Sequence, residues 1–217
     1  MSAKSAKLTS PIKWENLKTI AVVGETGAGK TATCFKILDQ FRKKKFIFNH
    51  PQPHILKAAG VSNIEKLSLH ELSDCVVYID EPQLTFVDAK ETRNLIRLYS
   101  LARQRDITIL FSTSDTRWVS IAMEAYVDCW VIKNIDYSTV KRGSQIKKII
   151  EMFVYNINPE SFRLDIDEAI MYCRRFLPDG PQKIKVLLPK YYDDYFSKPY
   201  KYASISEDDF FPGVLDE

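Results

Sequence analysis

Residues 24–31 have the sequence GETGAGKT, and the apolar run Thr19–Val23 leads into them. This octet matches the phosphate-binding loop pattern G-x-x-x-x-G-K-[ST] at every fixed position. Its glycines allow the backbone to curl so that successive N–H groups point at phosphate oxygens. An amphipathic pattern follows, and a helix beginning near Gly29 adds its positive N-terminal end to the same anion site. The stretch therefore predicts a buried strand, a phosphate loop and a helix that together bind a nucleoside triphosphate.

The expected nucleotide contacts extend over the whole loop and into the first helical residues. Lys30 is expected to reach the β- and γ-phosphates, and the Thr31 hydroxyl to ligate Mg²⁺. ATP and Mg²⁺ are the cofactors that this pattern predicts. The predicted nucleotide-binding residues are Gly24, Glu25, Thr26, Gly27, Ala28, Gly29, Lys30, Thr31 and Ala32.

A second informative stretch is the apolar run Cys75–Ile79, which ends in Asp80 and Glu81. Ligands of open α/β sheets bind at the carboxyl ends of the strands, so both acids are expected beside the phosphates. Asp80 is predicted to hold Mg²⁺, chiefly through water, opposite Thr31. Glu81 is predicted to accept a proton from the water that attacks the γ-phosphate. A solvated acidic turn is the alternative, and the upstream phosphate loop favours the catalytic interpretation.

A third apolar strand, predicted at Ile107–Phe111, also ends in polar residues. Thr113 and Ser114 could hydrogen-bond the γ-phosphate or the attacking water. Because Ser and Thr are also common turn formers, a simple turn remains open as the alternative. The helix predicted over 88–105, with Asp88 as N-cap, precedes this strand.

Composition fits one domain in a chain of 217 residues. We predict a flexible N-terminal lead-in over 1–17, a P-loop ATPase domain over 18–190 and an aromatic, acidic tail over 191–217. The formal net charge of +3 permits a nucleic-acid partner without arguing for one. No apolar run reaches membrane-spanning length, so an intracellular protein with no membrane partner is expected. The four cysteines are far apart in apolar segments, which predicts buried, reduced thiols.

The second half of the chain has weaker patterns. Alternating apolar residues predict a strand over 125–133. Two strand-like stretches, 137–141 and 145–156, flank Arg142-Gly143, which is typical of a hairpin turn. A helix is predicted over 165–176. These elements indicate an antiparallel hairpin at one edge of the sheet.

Taken in order, these motifs resemble the FtsK–HerA superfamily of P-loop ATPases. The chain looks most similar to the viral genome-packaging branch, including the packaging ATPases of archaeal viruses. The expected fold class is α/β: a P-loop NTPase of RecA/ASCE type, with a central mostly parallel sheet, flanking helices and an antiparallel edge hairpin. The segments that carry the resemblance are 24–31, 76–83, 101–114, 120–134 and 186–200.

The resemblance implies a DNA translocase that works as a ring, commonly a hexamer, with ATP between subunits. The expected partners are double-stranded DNA, further copies of the chain and a capsid protein. The expected location is the cytoplasm, that of the host cell for a viral protein, with transient residence at the capsid vertex. An arginine near the end of the helix before the sensor strand reaches into the neighbouring site in this superfamily, and here Arg103 and Arg105 are the candidates. Surface cations at a helix C-terminus are the alternative.

One position departs from the superfamily, which usually ends its sensor strand with glutamine where this chain has Ser114. The departure puts the sensor assignment in doubt and supports a second class, a nucleotide-controlled assembly switch with little hydrolysis. Within the first class, a cellular or plasmid translocase and a phage secretion ATPase remain alternatives to genome packaging. A P-loop kinase is disfavoured because nothing resembles an arginine-rich lid.

The best local signal for DNA contact is the basic stretch around the predicted hairpin turn. A basic hairpin could project into the pore of a ring and follow phosphates without reading bases. A solvated turn is an equal alternative. The candidate residues are Lys141, Arg142, Lys147 and Lys148.

Overall fold

The computed structural model describes most of the chain between residues 12 and 191, together with a short segment before it. Statements about structure below concern this part of the chain. The described residues are 6–7, 12, 14–48, 50, 56–57, 59–65, 72–86, 89–116, 118–119, 124–154, 163–175, 177, 179–189 and 191.

The regular elements alternate between strands and helices in the first half and are mixed in the second. Two short 3₁₀ helices, Trp14–Asn16 and Tyr137–Thr139, accompany them. In chain order the strands and α-helices are β1 (Ala6–Lys7), β2 (Thr19–Val23), α1 (Lys30–Leu38), β3 (Lys44–Phe48), β4 (Ser62–Ile64), β5 (Cys75–Asp80), α2 (Pro82–Thr85), α3 (Ala89–Ala102), β6 (Ile107–Thr113), β7 (Cys129–Ile132), α4 (Gln145–Phe153), β8 (Glu168–Cys173) and β9 (Gln182–Lys185).

The strands form one nine-stranded sheet in the order β1-β9-β8-β7-β2-β6-β5-β3-β4. Strand β6 lies between β2, which leads into the phosphate loop, and β5, which carries the acids. It is parallel to both, and Ser112 is in register with Val22 on one side and with Asp80 on the other. Because parallel strands end at the same edge, this order brings the ends of the three strands together.

The sheet is covered on both faces, which explains why its central strands are continuous apolar runs. Ile20 and Val22 of β2 pack on the face covered by α1, in a cluster that includes Phe35. Ala21 and Val23 point to the other face, where residues of α3 and α4 cover them. All five residues of β2 are buried, and each large apolar side chain buried in this way contributes roughly 1.5–3 kcal/mol to stability.

The fold class expected from the sequence is confirmed: an α/β, mostly parallel sheet with flanking helices and an antiparallel edge. The antiparallel edge, however, consists of β7, β8 and β9. The hairpin predicted over 137–141 and 145–156 is wrong, because the second stretch contains α4 instead of a strand. Ser144 caps α4 through a hydrogen bond from the Lys147 amide to its Oγ, 3.2 Å long. Burial of Ile146, Ile149 and Ile150 follows helical spacing, a pattern that outweighs their β-branched shape.

The helix predicted over 165–176 is also wrong, since β8 occupies its centre. Strand β8 lies between β7 and β9, and layers on both sides of the sheet cover it: Ala169 and Met171 belong to the core cluster on one face, and Ile170 belongs to the cluster on the other. A strand covered on both faces lacks the alternation that identifies a strand in a sequence.

The cysteine prediction is wrong for one pair. Cys129 and Cys173 lie opposite each other on β7 and β8, with their Cα atoms 4.3 Å apart, and form a disulfide. Their separation of 44 residues in the chain hid this cross-strand pairing from the sequence. Cys34 and Cys75 are buried free thiols, as expected.

Residues on both sides of the predicted domain boundaries pack on the core. Ile12, Trp14 and Leu17, within the predicted lead-in, are buried on the α1 face. Tyr191, the first residue of the predicted tail, donates a 2.8 Å hydrogen bond to Asp39. The predicted N-cap Asp88 and most of the predicted tail lie outside the described residues. Among those described, no helix is both long and apolar enough to span a membrane.

Candidate functional site

Two backbone hydrogen bonds hold the start of the phosphate loop between the carboxyl ends of β6 and β7. The Gly24 amide donates to the carbonyl of Thr113 at 3.3 Å, and the Glu25 amide donates to the carbonyl of Asn134 at 2.9 Å. A Cβ at Gly24 would lie 2.7 Å from the Cβ of Lys133. Only glycine allows the loop to approach the neighbouring strand this closely, so the first glycine of the motif has a packing reason here.

The loop passes into α1 through Gly29, whose φ of 81° lies in the left-handed region. Glycine adopts this conformation without the steric cost that other residues incur. Lys30 follows as the first helical residue and is only 7% exposed. Its Nζ lies 3.1 Å from the carbonyl oxygen of Glu25 and 3.2 Å from Oε1 of Glu81. The lysine thus lies in the concave side of the loop, where a phosphate group would bind.

The first acid, Asp80, ends β5 inside a small polar cluster. Ser112 Oγ donates to Asp80 Oδ1, and the Tyr78 hydroxyl lies 3.0 Å from Ser112 Oγ. Burial raises the pKa of the Asp80 carboxyl, while the hydrogen bonds from Ser112 and Tyr78 act in the opposite direction. Burial also raises the pKa of Tyr78. Because burial makes the charged form of this carboxyl group unfavourable, a bound cation would stabilise it.

The second acid, Glu81, follows β5 with a left-handed backbone, φ 41° and ψ 61°. Its amide donates to the carbonyl of Ser112 at 2.9 Å, which holds the turn against β6. Its side chain receives hydrogen bonds at Oε2 from the Ser114 amide at 2.8 Å and from Ser114 Oγ at 3.1 Å. The turn therefore directs the carboxylate back over the ends of the strands and next to Lys30.

The structure adds a residue that the sequence analysis did not select. Gln83 of α2 donates from Nε2 to Glu81 Oε2 and accepts from Thr113 Oγ1 at 2.9 Å. Two signals pointed to it: Gln83 is the last residue of the segment 76–83 that carries the resemblance, and it lies two residues after Glu81.

A second unselected residue, Lys133, lies behind the phosphate loop at the end of β7. It is fully buried, and its Nζ donates to the carbonyls of Ile166 at 2.7 Å and Glu168 at 2.6 Å. Burial lowers its pKa to about 8. Through these two hydrogen bonds, Lys133 links Ile166 and Glu168 to the end of β7, next to Gly24 of the phosphate loop.

A cavity of about 220 Å³ opens beside the outer side of the loop. Loop residues 25–28 form one wall, and Asn134, Leu164 and Ile166 form the other. Ile166 is 72% exposed, so this wall offers an apolar surface next to the site expected for the phosphates.

The two arginine candidates lie between the end of α3 and the start of β6. This is the amino-terminal end of β6, opposite the end at which the phosphate loop lies. Arg103 is exposed and lies 3.3 Å from Asp128, which precedes β7. Arg105 is partly buried, and its guanidinium donates to the carbonyl of Leu72 at 3.3 Å. The seven residues of β6 separate them from Ser114 by roughly 20 Å along the strand, so neither reaches the phosphate loop of its own chain.

The basic candidates surround the start of α4. Lys141, Arg142 and Lys148 are exposed. Lys147 lies over the ring of Tyr137, with 4.3 Å between Nζ and the ring centroid. Glu124 accepts from the first amide of the helix, that of Gln145, at 3.2 Å. The end of the helix is thus satisfied internally, and only the side chains remain for an external anion.

The oxygen donors at this edge fit a hard divalent cation. Thr31 and Asp80 are the residues that would hold Mg²⁺, since a hydroxyl and a carboxylate with bound water suit this ion. Among the described residues there is no cluster of three or more His, Cys, Asp or Glu side chains that would bind a metal without a substrate.

In this sheet β6 lies between the phosphate-loop strand β2 and the acid-bearing strand β5, and Lys30 of the loop lies beside Glu81, which follows β5. This arrangement is that of a P-loop NTPase, and the chain is an enzyme of this class. The sequence model of the family described as type III restriction enzyme, res subunit, matches residues 3–123. This is more than half of the 217 residues, and the chain belongs to this family.

Solved structures with a similar fold include secretion and packaging ATPases. EccC (ATPases 2 and 3) of Thermomonospora curvata has a TM-score of 0.56 and 12% identity, over 82% of this chain and 38% of that one. EssC (ATPases 2 and 3) of Geobacillus thermodenitrificans has a TM-score of 0.56 and 12% identity, over 87% of this chain and 43% of that one. The genome packaging NTPase B204 of Sulfolobus turreted icosahedral virus 2, in complex with ATP-gammaS, has a TM-score of 0.52 and 14% identity, over 78% and 98%.

The chain thus spans less than half the length of the secretion ATPases and nearly the whole length of the packaging NTPase. These likenesses show the fold. No curated protein matches the chain.

Proposed function

We propose that the chain is an ATP-hydrolysing DNA translocase that packages viral double-stranded DNA into a preformed capsid as a ring, most simply a hexamer. The observation that carries the proposal is the position of Arg103. It is exposed, and it lies one strand length from the phosphate loop of its own chain. Its ion pair with Asp128 is at the surface, where the guanidinium could exchange this partner for the loop of a neighbouring copy. A site that needs a second copy is typical of a ring motor.

The hydrolytic step follows from the residues at the sheet edge. Lys30 binds the β- and γ-phosphates. Thr31 and Asp80 would hold Mg²⁺, which would supply positive charge beside these phosphates. Glu81 accepts a proton from water while the water oxygen bonds to the γ-phosphorus in line, and the bond from this phosphorus to the β–γ bridging oxygen breaks to release ADP. Arg103 of the next subunit stabilises charge on the transferring phosphoryl group, a contribution of about 10³–10⁵ in rate where it has been measured for arginine fingers. Arg105 donates a hydrogen bond to the carbonyl of Leu72, so we assign it a structural role and not the role of the arginine that acts on the neighbouring subunit.

Packaging is favoured over secretion by the extent of the structural likeness. The chain covers 98% of the packaging NTPase from Sulfolobus turreted icosahedral virus 2, against 38% of EccC. The exposed residues Lys141, Arg142 and Lys148 provide a surface for DNA phosphates, a contact that is independent of sequence and weakened by salt. A capsid protein is the remaining proposed partner.

The trans site is tested by mixing subunits. Glu81→Gln alone and Arg103→Ala alone should each be nearly inactive in DNA-stimulated phosphate release. A mixture restores active sites that combine the wild-type Glu81 of one subunit with the wild-type Arg103 of its neighbour. Arg97 is an exposed arginine within α3, the helix that ends just before Arg103, and Arg97→Ala is the matched control, which should hydrolyse normally. If Arg103→Ala hydrolyses ATP like wild type, the ring mechanism fails.

Translocation is tested by displacement of a third strand from double-stranded DNA. Lys141→Ala/Arg142→Ala should reduce displacement and DNA stimulation without changing basal hydrolysis. Arg174→Ala/Arg175→Ala removes the same charge from another exposed site and serves as control. If both double variants lose strand displacement equally, DNA binding depends on the net charge of the protein and not on the surface around the start of α4.

A nucleotide-controlled assembly switch is the second candidate. The ion pair between Lys30 and Glu81 favours it, because both charged residues are satisfied without a nucleotide. A switch predicts that wild type and Glu81→Gln are equally inert in steady-state phosphate release, even with DNA present. A motor predicts turnover that Glu81→Gln abolishes.

A further inference from the structure

Gln83 connects the catalytic carboxylate to the end of the neighbouring strand. Its amide donates from Nε2 to Glu81 Oε2, and its Oε1 accepts the Thr113 hydroxyl at 2.9 Å. The Asp115 amide donates to the same hydroxyl oxygen at 3.1 Å, and the Asp115 carbonyl is a second, more distant acceptor for the hydroxyl proton at 3.3 Å. Thr113 is fully buried. Because a carboxylate oxygen accepts hydrogen bonds, the Gln83 amide presents Nε2 to Glu81, and this leaves its Oε1 to accept from Thr113.

The two carboxylate oxygens of Glu81 have different partners. Oε2 accepts from Gln83 Nε2, from the Ser114 amide and from Ser114 Oγ. Oε1 lies 3.2 Å from Lys30 Nζ. When a triphosphate takes Lys30, Oε1 is released while Oε2 keeps its donors. One oxygen is therefore held and the other becomes available to accept a proton.

The backbone of Glu81 makes this support necessary. Its φ of 41° is in the left-handed region, which is unfavourable for a residue with a side chain because Cβ approaches the following carbonyl oxygen. A strained turn keeps its direction only when surrounding contacts hold it. Ser114 and Gln83 hold Oε2 of the carboxylate, and Gln83 does so from the helix that begins directly after the turn.

We propose that Gln83 is a positioning residue for ATP hydrolysis: with Thr113 it holds Oε2 of Glu81, so that Oε1 faces the attacking water. This inference rests on the part of the proposed function in which Glu81 activates water, and it is independent of DNA translocation. Gln83 touches neither nucleotide nor water in this scheme. Its loss should lower turnover and leave nucleotide binding unchanged.

The relay is tested with Gln83→Ala, Thr113→Val, Thr113→Ser and the double variant Gln83→Ala/Thr113→Val. Gln83→Ala and Thr113→Val should each lower kcat by about tenfold or more, a partial loss of general-base catalysis. Thr113→Ser keeps the hydroxyl and should stay within about twofold of wild type, as should the surface control Gln40→Ala. The double variant should be no slower than the slower single variant, because both changes break one chain of contacts.

The second readout is the Kd of a non-hydrolysable ATP analogue, together with the thermal midpoint of each variant. A positioning role predicts that the Kd changes by less than about twofold, since Gln83 acts on the transition state. The inference is overturned if folded Gln83→Ala keeps wild-type kcat, if the two single losses multiply in the double variant, or if kcat and analogue affinity fall together. Thr113→Val, nearly equal in volume, tests the relay even if Gln83→Ala folds poorly.

The outcome separates this inference from the proposed function. If wild type hydrolyses ATP without moving DNA while Gln83→Ala is slow, translocation fails and the relay is supported. If DNA is moved and Gln83→Ala turns over normally, the relay fails and translocation stands. If wild type releases no phosphate under any condition, both fail.

Discussion

Lys30 and Glu81 form an ion pair, with 3.2 Å between Nζ of the lysine and Oε1 of the glutamate. Lys30 begins α1 and Glu81 follows β5, and the order of the strands in the sheet brings them together. In the proposed mechanism, the γ-phosphate competes with Glu81 for the ammonium group of Lys30. Nucleotide binding would therefore release the carboxylate that we propose as the base.

Glu81→Gln should bind nucleotide more tightly and hydrolyse it far more slowly. The neutral amide frees Lys30, so the Kd of an ATP analogue should fall by about two- to tenfold, as expected when a competing state is removed. Loss of the base should lower kcat by about 10²–10⁴. Isothermal titration and phosphate release measure the two effects. Glu15→Gln, an exposed acid outside the site, is the control, and unchanged affinity in Glu81→Gln would contradict the competition.

Gly24→Ala should lower nucleotide affinity as well as stability. The new Cβ would lie 2.7 Å from Lys133 Cβ, so the loop must move away from β7, at a cost of about 1–3 kcal/mol. Gly60→Ala is a matched control, because its φ of 63° costs stability while nothing lies within 4 Å of the new Cβ. Urea unfolding should show a loss in both variants. Analogue binding should weaken only in Gly24→Ala, and equal binding in the two would contradict the packing argument.

Lys133→Met should change how stability depends on pH. Burial lowers the pKa of Lys133 from 10.5 to about 8, so between these values the unfolded chain binds more protons than the folded one. The cost of burying the charge is fully present below pH 8 and disappears as pH rises towards 10.5. Wild type should therefore gain up to about 3 kcal/mol relative to Lys133→Met over this range.

Urea unfolding of both proteins at pH 7 and pH 10 measures this difference. The exposed lysine variant Lys44→Met should follow wild type at both values. A constant difference between wild type and Lys133→Met would mean that the ammonium keeps its charge throughout.

The disulfide between Cys129 and Cys173 should be detectable as missing thiols. After denaturation without reductant, Cys34 and Cys75 should react with a thiol reagent and the other pair should not. Reduction should expose all four cysteines of the chain and lower the free energy of unfolding by about 2–4 kcal/mol, given a separation of 44 residues. Cys129→Ala/Cys173→Ala should be insensitive to reductant. Four reactive thiols before reduction would exclude the bond.

Most residues of the candidate site could be predicted from local sequence patterns. The residues that could not be predicted in this way were missed for a common reason. Lys30, Asp80 and Glu81 were selected because each follows an apolar strand in a motif with fixed spacing. Gln83 and Lys133 were missed because their importance depends on what lies opposite them. Ser114, which raised doubt as a replacement for glutamine, donates directly to Glu81, while a glutamine from α2 reaches Thr113.

The errors in the fold have a related cause. Strand β8 is covered on both faces, which removes the alternation that would distinguish it from a helix. Helix α4 is rich in isoleucine, so its composition favoured a strand, and the cap at Ser144 decided otherwise. The disulfide required knowledge of which strand lies beside β7.

The sequence by itself determined the strand–loop–helix that binds phosphate, the acids after β5 and the α/β class, because these depend on residues that are neighbours along the chain. Only the tertiary structure decided that β6 lies between β2 and β5, that Lys133 supports the loop from behind, and that Gln83 joins Glu81 to Thr113. Strand order and side-chain contacts between distant segments depend on how buried surfaces fit together, and local spacing carries no record of that fit.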